Sequence, residues 1–364
     1  MGMQALEQDS LASTSAGSYR LQVSAVIDET ADARSLVLEV PAPLRERFRY
    51  KPGQFLSFRV PCAGKLLTRC YSMASSPVCD AQPKVTIKRV AGGRVSNWMN
   101  QHVQVGDWLE VLPPAGHFCL GEQHAGDSAR PLVLFGGGSG ITPVMSILKS
   151  SLHTSKRRIK LIYANRDEAS VIFRDELRQL SQDHPHRLEI IHLLDSLQGF
   201  LSEAQVRQLV QGQRGGDYFI CGPGPFMDTV ERSLLALGEA AQCIHVERFV
   251  SPPDPDEVAA QEAIARAASI GSACQLLLVE LDSQQHEIPC RPGDTLLQSC
   301  RAAGLDVPSS CEEGFCGACM CTVLEGETRL ARNDVLSARE LQDGWTLACQ
   351  SRPLGARVRL KFPG

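Results

Sequence analysis

The sequence predicts a multidomain protein: an antiparallel β-barrel, then a parallel α/β sheet, then a small mixed sheet. Three observations carry this expectation. The chain has 364 residues, more than one hydrophobic core usually serves. Its first third is written in short β-type runs broken by Pro and Gly, whereas the middle third alternates apolar strands with amphipathic helices. The last third holds a tight cysteine group, Cys311, Cys316 and Cys319, with Cys349 further on.

Composition narrows the class. With 43% hydrophobic and 21% charged residues and a net charge of -4, the chain reads as an ordinary soluble protein without a polybasic signature, which argues against nucleic acid as a partner. Residues 1–18 lack the charged start and apolar stretch of a secretory signal, and no run is long enough to span a bilayer. A cytoplasmic location with no membrane partner is expected. The chain has 14 cysteines; without a signal their tight group points to metal rather than disulfides. The scattered Cys62, Cys70, Cys79, Cys119, Cys243, Cys274, Cys290 and Cys300 read as packed thiols.

From Tyr19 to about Gly121 the runs LQVSAVI, SLVLEV, QFLSFRV, KVTIKRV and DWLEVL predict the barrel, with a helix over Ser96 to His102 after the Gly92-Gly93 pair. From Arg130 to about Val250 the strands PLVLFG, IKLIYA, LEIIHLL, DYFICG and CIHVERF alternate with helices starting at Pro143, Val171, Ser202 and Pro225, the pattern of a parallel sheet. Ser251 to Ser272 opens with prolines and acids and turns Ala-rich, which reads as a linker. Beyond it CQLLLVEL, HEIPC, a helix near Thr295 to Ala303, MCTVLEG, TLAC and RVRLKF predict the mixed sheet. The boundaries fall at 19–124, 125–250, 251–272 and 273–364.

Cys311-x4-Cys316-x2-Cys319, then Cys349 after 29 intervening residues, is the spacing with which four thiolates hold a plant-type 2Fe-2S cluster. Gly314, Gly317 and Ala318 let the loop wrap closely and turn backbone N–H groups toward sulfur. Zinc is the rival, although its sites usually use two short Cys pairs. Cys321 reads as a packed thiol rather than a fifth ligand. The second signal follows the strand Pro131 to Phe135: Gly136-Gly137-Gly138-Ser139-Gly140-Ile141-Thr142-Pro143. Such a turn lets backbone approach a pyrophosphate at a helix N-terminus, with Thr142 expected as the cap and Pro143 in the first turn. Ile141 stands where the usual fingerprint has its third glycine, and a plain structural turn is the alternative. Arg69-Cys70-Tyr71-Ser72 puts a cation, a ring and a hydroxyl on one strand, suited to phosphate and a flat ligand. Gly93-Arg94-Val95-Ser96 opens a helix that offers its N–H groups to a second phosphate.

Together these runs resemble the ferredoxin-NADP reductase superfamily with a C-terminal ferredoxin module, in the right order and over nearly the whole chain from Tyr19. In that family R-x-Y-S binds flavin, G-x-x-S takes its pyrophosphate, G-x-G-x-x-P binds the nicotinamide nucleotide, and C-G-P approaches the nicotinamide. The texture of RCYSMASSP, FGGGSGITPVMSI, FICGPGPFM and CEEGFCGACMC is most similar to the oxygenase reductases of 3-ketosteroid 9α-hydroxylation and phenylacetyl-CoA oxygenation. The resemblance implies a flavin barrel, a nucleotide-binding α/β domain and a β-grasp ferredoxin.

It implies roles as well. Arg69 pairs the flavin phosphate, Cys70 lies along the flavin strand, Tyr71 packs on the isoalloxazine, and Ser72 bonds near the atom that receives hydride. Lys88, Gly93, Val95 and Ser96 also serve the flavin; Gly138, Gly140, Thr142, Cys221 and Gly222 serve the nucleotide. Glu247 and Phe249 reach back to the flavin as a proton-handling carboxylate and a ring cover, and Ser72, Cys221 and Glu247 form the catalytic set. FAD is expected over FMN because G-x-x-S provides for a second phosphate and Phe118 offers an adenine platform. NADH, or NADPH, supplies two electrons, and flavin and the 2Fe-2S cluster pass them singly to a separate terminal oxygenase of the Rieske type. A self-contained NAD(P)H:acceptor reductase and a zinc-bound docking domain are the alternatives.

Overall fold

The computed structural model describes residues 17–62, 64–119, 130–249 and 276–363; the expected linker 251–272 lies outside them. The chain forms two compact units, Met1–Arg248 and Phe249–Gly364. Among the described residues no helix is long and apolar enough to cross a membrane.

The first unit begins with β1 (Tyr19–Thr30), β2 (Ala33–Glu39), β3 (Phe55–Cys62), β4 (Lys65–Ser72), β5 (Lys84–Lys88) and β6 (Trp108–Ala115). They pair antiparallel in the order β4-β3-β6-β1-β2-β5. An antiparallel bridge between Met73 and Val85 joins the two edges and closes the barrel, which removes exposed strand edges. Alternate residues such as Leu21, Val23, Leu36, Leu38, Phe58 and Val111 fill it, as the pleat requires. Helix α1 (Arg94–His102) adds Val95 and Met99 to that core; it starts two residues earlier than the sequence suggested, with Gly93 at the N-cap.

The parallel sheet has β7 (Leu132–Gly137), β8 (Ile159–Asn165), β9 (Leu188–Leu194), β10 (Asp217–Cys221) and β11 (Ile244–Glu247) in the order β11-β10-β7-β8-β9. Helices α2 (Ile141–Thr154), α3 (Arg174–Asp183), the single turn α4 (Asp195–Gln198), α5 (Glu203–Leu209) and α6 (Gly224–Ala236) connect the strands. Both faces are covered: α2 and α3 pack on Leu134, Leu161 and Tyr163, while α5 and α6 pack on Val133, Phe135 and Ile162. This explains why the strands read as continuous apolar runs. One expected helix start moves. Val171 to Phe173 is not helical, because Phe173 takes a left-handed conformation at φ 60° with its ring buried, and α3 begins after it.

The second unit contains β12 (Leu276–Leu281), β13 (Gln284–Pro289), α7 (Leu296–Ala302), β14 (Met320–Leu330), α8 (Ala338–Gln342), β15 (Trp345–Leu347) and β16 (Ser351–Lys361). Its sheet runs β13-β12-β16-β14-β15, with β12 and β16 parallel and the other pairs antiparallel. Leu296, Leu297 and Cys300 of α7 seal one face.

Candidate functional site

The chain order of the parallel sheet reverses between β7 and β10, and open α/β sheets bind ligands outside the carboxyl ends of strands at such a point. Both glycine-bearing turns lie there, Gly138 to Gly140 directly after β7 and Gly222-Pro223 directly after β10. They touch backbone to backbone. A Cβ on Gly140 would stand 2.2 Å from the Cys221 carbonyl oxygen and 2.6 Å from the Gly222 nitrogen, so only glycine fits. Tyr163 holds the first turn from beneath: its hydroxyl donates to the Gly138 carbonyl at 3.1 Å and accepts from the Ile172 N–H at 3.2 Å. The sequence reading missed Tyr163, since a buried tyrosine on a strand carries no local signal.

At the same edge three expected residues converge. Cys221 is paired in register with Gly136 on one side and Glu247 on the other. The Ser72 hydroxyl, at the end of β4, donates to Glu247 Oε2 at 3.2 Å across 175 residues of sequence. Burial pushes the Glu247 carboxyl up to about 8, against the opposing effect of the Ser72 hydrogen bond. Burial, with the Glu247 charge, also raises the Cys221 thiol well above its ordinary value. At neutral pH the corner therefore holds a neutral thiol and a mostly protonated carboxyl.

Along β4, Tyr71 packs against Phe58 with ring centroids 5.8 Å apart, and burial raises its hydroxyl, partly countered by the Arg69 charge. Arg69 Nη1 donates to the Thr68 carbonyl at 2.6 Å. The Cys70 thiol faces Ser57 Oγ at 3.1 Å, on the side of the strand opposite Arg69 and Tyr71. At the start of α1, Ser96 Oγ accepts from the Val90 N–H at 3.2 Å and Val95 points into the core. The side chains are thus occupied, and the uncapped N–H groups are what this helix offers an anion.

The structure corrects two expectations. Thr142 is not the cap of α2: Gly140 is, and Thr142 lies inside the first turn with its hydroxyl donating to the Ser139 carbonyl at 3.0 Å. Phe118 offers no free face to an adenine, because the residue is 6% exposed and its ring packs edge-on against Phe219 with centroids 5.3 Å apart. Lys88 Nζ lies 3.7 Å from Asp32 and 4.0 Å from the position a Gly138 Cβ would take, so its charge sits at the nucleotide loop. Phe249 is 46% exposed.

In the second unit the thiols meet two by two. Burial and the neighbouring Cys316 raise the Cys311 thiol, while Cys319 and Cys349 perturb each other, Cys319 downward and Cys349 upward, with Cys311 and Cys316 adding to the rise at Cys349. Two adjacent thiol pairs suit a dinuclear cluster better than a lone zinc. Backbone N–H groups aim at the sulfurs: Glu313 at Cys311 Sγ (3.4 Å), Cys311 and Ala318 at Cys316 Sγ (3.4 and 3.5 Å), and Cys349 at Cys319 Sγ (3.5 Å). Gly314 turns at φ +81° where a Cβ would meet Gln350 Cγ at 2.9 Å. Cys321 is fully buried in the core that also holds Cys300.

Comparison with known proteins agrees with this geometry. Residues 20–119 match the oxidoreductase FAD-binding domain, 134–232 the oxidoreductase NAD-binding domain, and 279–354 the 2Fe-2S iron-sulfur cluster binding domain. The ferredoxin reductase component of 3-ketosteroid-9-alpha-monooxygenase from Rhodococcus rhodochrous is 44% identical over 344 residues, covering 94% of this chain and 96% of that protein. A component of 1,2-phenylacetyl-CoA epoxidase from Escherichia coli strain K12 is 33% identical, covering 94% of this chain and 97% of that protein. The solved structure of phthalate dioxygenase reductase, a modular protein for electron transfer from pyridine nucleotides to [2Fe-2S], superimposes with a TM-score of 0.56 at 25% identity, covering 95% of this chain and 98% of that one. An antiparallel FAD barrel, a parallel NAD sheet and a 2Fe-2S module thus follow one another in a single chain, which belongs to the ferredoxin reductase family of FAD- and NAD-binding oxidoreductases with a C-terminal 2Fe-2S domain.

Proposed function

We propose that Ser72, Cys221 and Glu247 form the hydride-transfer corner of an NADH-dependent reductase whose electrons leave through the 2Fe-2S module to a separate Rieske-type terminal oxygenase. The observation that carries this reading is the Ser72–Glu247 hydrogen bond with Cys221 in register beside it, at the switch point of the sheet. When bound, FAD takes two electrons as hydride and passes them on singly to the cluster. The chain does the rest. Arg69, Tyr71 and the bare start of α1 hold the flavin, with Cys70 adding backbone alone. Gly138, Gly140, Thr142 and Gly222 seat the nucleotide, Lys88 serves the flavin, and Cys311, Cys316, Cys319 and Cys349 ligate the cluster. The domain limits 19–124, 125–250 and 273–364, with 251–272 as linker, complete the proposal.

Glu247 gives the test its sign. A carboxyl with its pKa at about 8 donates a hydrogen bond below that pH and loses the ability above it. The anaerobic rate of flavin reduction should therefore fall as pH climbs through about 8, and Glu247→Gln, which keeps a donor, should flatten that profile. Ser72→Ala should slow reduction about 10- to 100-fold by removing the group that orients the carboxyl. An unchanged rate in Ser72→Ala would overturn the assignment. A separate oxygenase as acceptor is supported by the name of the Rhodococcus rhodochrous relative, a reductase component of a monooxygenase, and the Rieske type is tested by NADH oxidation that requires a Rieske oxygenase.

The choice of NADH rests on Arg166. Its guanidinium pairs with Asp167 at 3.0 Å, and Asp167 also caps the following turn by accepting from the Ser170 N–H. An arginine neutralised in this way is a poor receptor for a 2′-phosphate. A kcat/KM ratio favouring NADPH more than about tenfold, roughly 1.4 kcal/mol, would refute it.

A further inference from the structure

Helix α2 buries a polar stripe that its sequence gives no reason to expect. Ser146, Lys149 and Ser150 are 0%, 7% and 1% exposed and share one face through their spacing of three and four residues. Their neighbours on the helix, Val144, Ile147 and Leu148, are core residues, and polar groups in such a place are costly unless satisfied. Each of the three has a partner in the segment that leaves β4 just after Ser72. Ser146 Oγ donates to the Ser75 carbonyl at 2.6 Å, the Ser150 and Ser76 hydroxyls share a bond of 2.7 Å, and Lys149 Nζ donates to Asp80 Oδ1 at 2.8 Å.

The same ammonium donates to Glu176 Oε1 at 2.6 Å, in the first turn of α3, and Glu176 also pairs with Lys84 of β5 at 3.1 Å. Lys84 in turn lies over the ring of left-handed Phe173, 4.9 Å from its centroid. Burial alone would lower the pKa of Lys149, yet its bonds to Asp80 and Glu176 hold it above the ordinary value, so the ion remains charged. A buried, multiply bonded ion of this kind fixes geometry more than it adds stability. Here it fixes a telling pair: the helix that begins at the nucleotide turn, and the chain that has just left the flavin strand.

We propose that Lys149 is a positioning residue for hydride transfer, locking the nucleotide-bearing helix to the Ser75–Asp80 segment behind the flavin strand and so setting the approach of donor to acceptor. This rests on Ser72, Cys221 and Glu247 being the reacting corner. The test uses the full-length holoenzyme with Lys149→Met and Lys149→Arg. In anaerobic stopped flow the methionine variant should lose about 10- to 100-fold in the limiting rate of flavin reduction, since a displacement near 1 Å costs about that much, while half-saturation by NADH changes less than about threefold. Arginine, which can reach both carboxylates, should restore most of the rate. Amide hydrogen exchange should quicken in Ser75–Asp80 and Ser146–Ser151 in the methionine variant alone. A normal limiting rate in Lys149→Met, or a loss seen wholly in half-saturation, overturns the proposal. Should that variant fail to fold, Asp80→Asn, which leaves Lys149 paired to Glu176, decides in the same way: a slowed limiting rate supports the lock and a normal one overturns it. Ser72→Ala run alongside separates the two ideas, because a normal rate there defeats the site assignment, whereas a crippled Ser72→Ala beside a normal Lys149→Met defeats the lock alone.

Discussion

The two redox corners of this protein are built in opposite ways. The cluster loop draws three of its four thiols from nine consecutive residues, Cys311 to Cys319, and orders them with N–H groups of the same loop and one from Cys349. The Ser72–Glu247 corner joins residues 175 apart, and although Ser72 ends a recognisable strand run, nothing local to either residue pairs it with the other. A local constellation can be read as spacing; a distributed one exists only once a barrel and a parallel sheet have packed together. The first should fail through single ligands and the second through anything that shifts the packing.

The largest expected effect breaks the local corner and leaves the other intact. Cys349→Ala removes one member of the Cys319–Cys349 pair, leaving an iron short of its thiolates. Visible absorption and paramagnetic resonance should show the cluster lost, while NADH still bleaches the flavin at a near-normal rate and ferricyanide reduction persists. Loss of flavin reduction as well would show that the two units do not work separately. Next in size is Gly140→Ala, aimed at the distributed corner. Its methyl group would enter the backbone of Cys221 and Gly222 at 2.2 to 2.6 Å, forcing the two turns apart. Flavin reduction by NADH should drop at least about 100-fold, with the cluster spectrum unchanged. A functional Gly140→Ala protein would mean the turns need not touch.

The contrast also explains what was legible in the sequence. The cysteine spacing, the glycine turn and the R-x-Y-S strand are local patterns, and the three-domain order followed from periodicity. Helix starts were legible where a side chain does the capping. Ser202 and Thr295, both read as helix starts, each form a capping box with the residue three further on, a local bargain written in the sequence; Ser337 forms one too, but the short helix it opens was not read. At α1, α2 and α6 no side chain caps the N-terminus; those ends face the candidate flavin and nucleotide sites, and there Thr142 was misread as a cap. Phe118 was misread because exposure of an aromatic ring is decided by Phe219, about a hundred positions away. Ser146, Lys149 and Ser150 went unnoticed for the same reason, since a Ser/Lys face on a helix normally meets water.

The smallest expected effect sharpens the comparison inside the cluster loop, where local ordering still borrows from outside. Glu312, next to ligand Cys311, is a non-glycine residue at φ 60°, a conformation that costs an L-residue about 1 kcal/mol. Two groups hold it there. Arg301 of α7 donates to Glu312 Oε1 at 2.7 Å and to Ser309 Oγ at 2.9 Å, bracketing Cys311 on both sides, and Gln350 Nε2 donates to the Glu312 carbonyl at 2.9 Å. The result is a Glu313 N–H that points at Cys311 Sγ. Arg301 and Glu312 are about half exposed, so their ion pair is worth no more than about 1 kcal/mol. Arg301→Ala should accordingly speed bleaching of the cluster by an iron chelator only about two- to fivefold. Glu312→Gly loses the same ion pair but relieves the left-handed strain, and should bleach more slowly than Arg301→Ala. If both variants bleach at one rate, the strain at Glu312 has no energetic consequence; if Arg301→Ala bleaches like the unsubstituted protein, the loop is ordered by its own backbone alone.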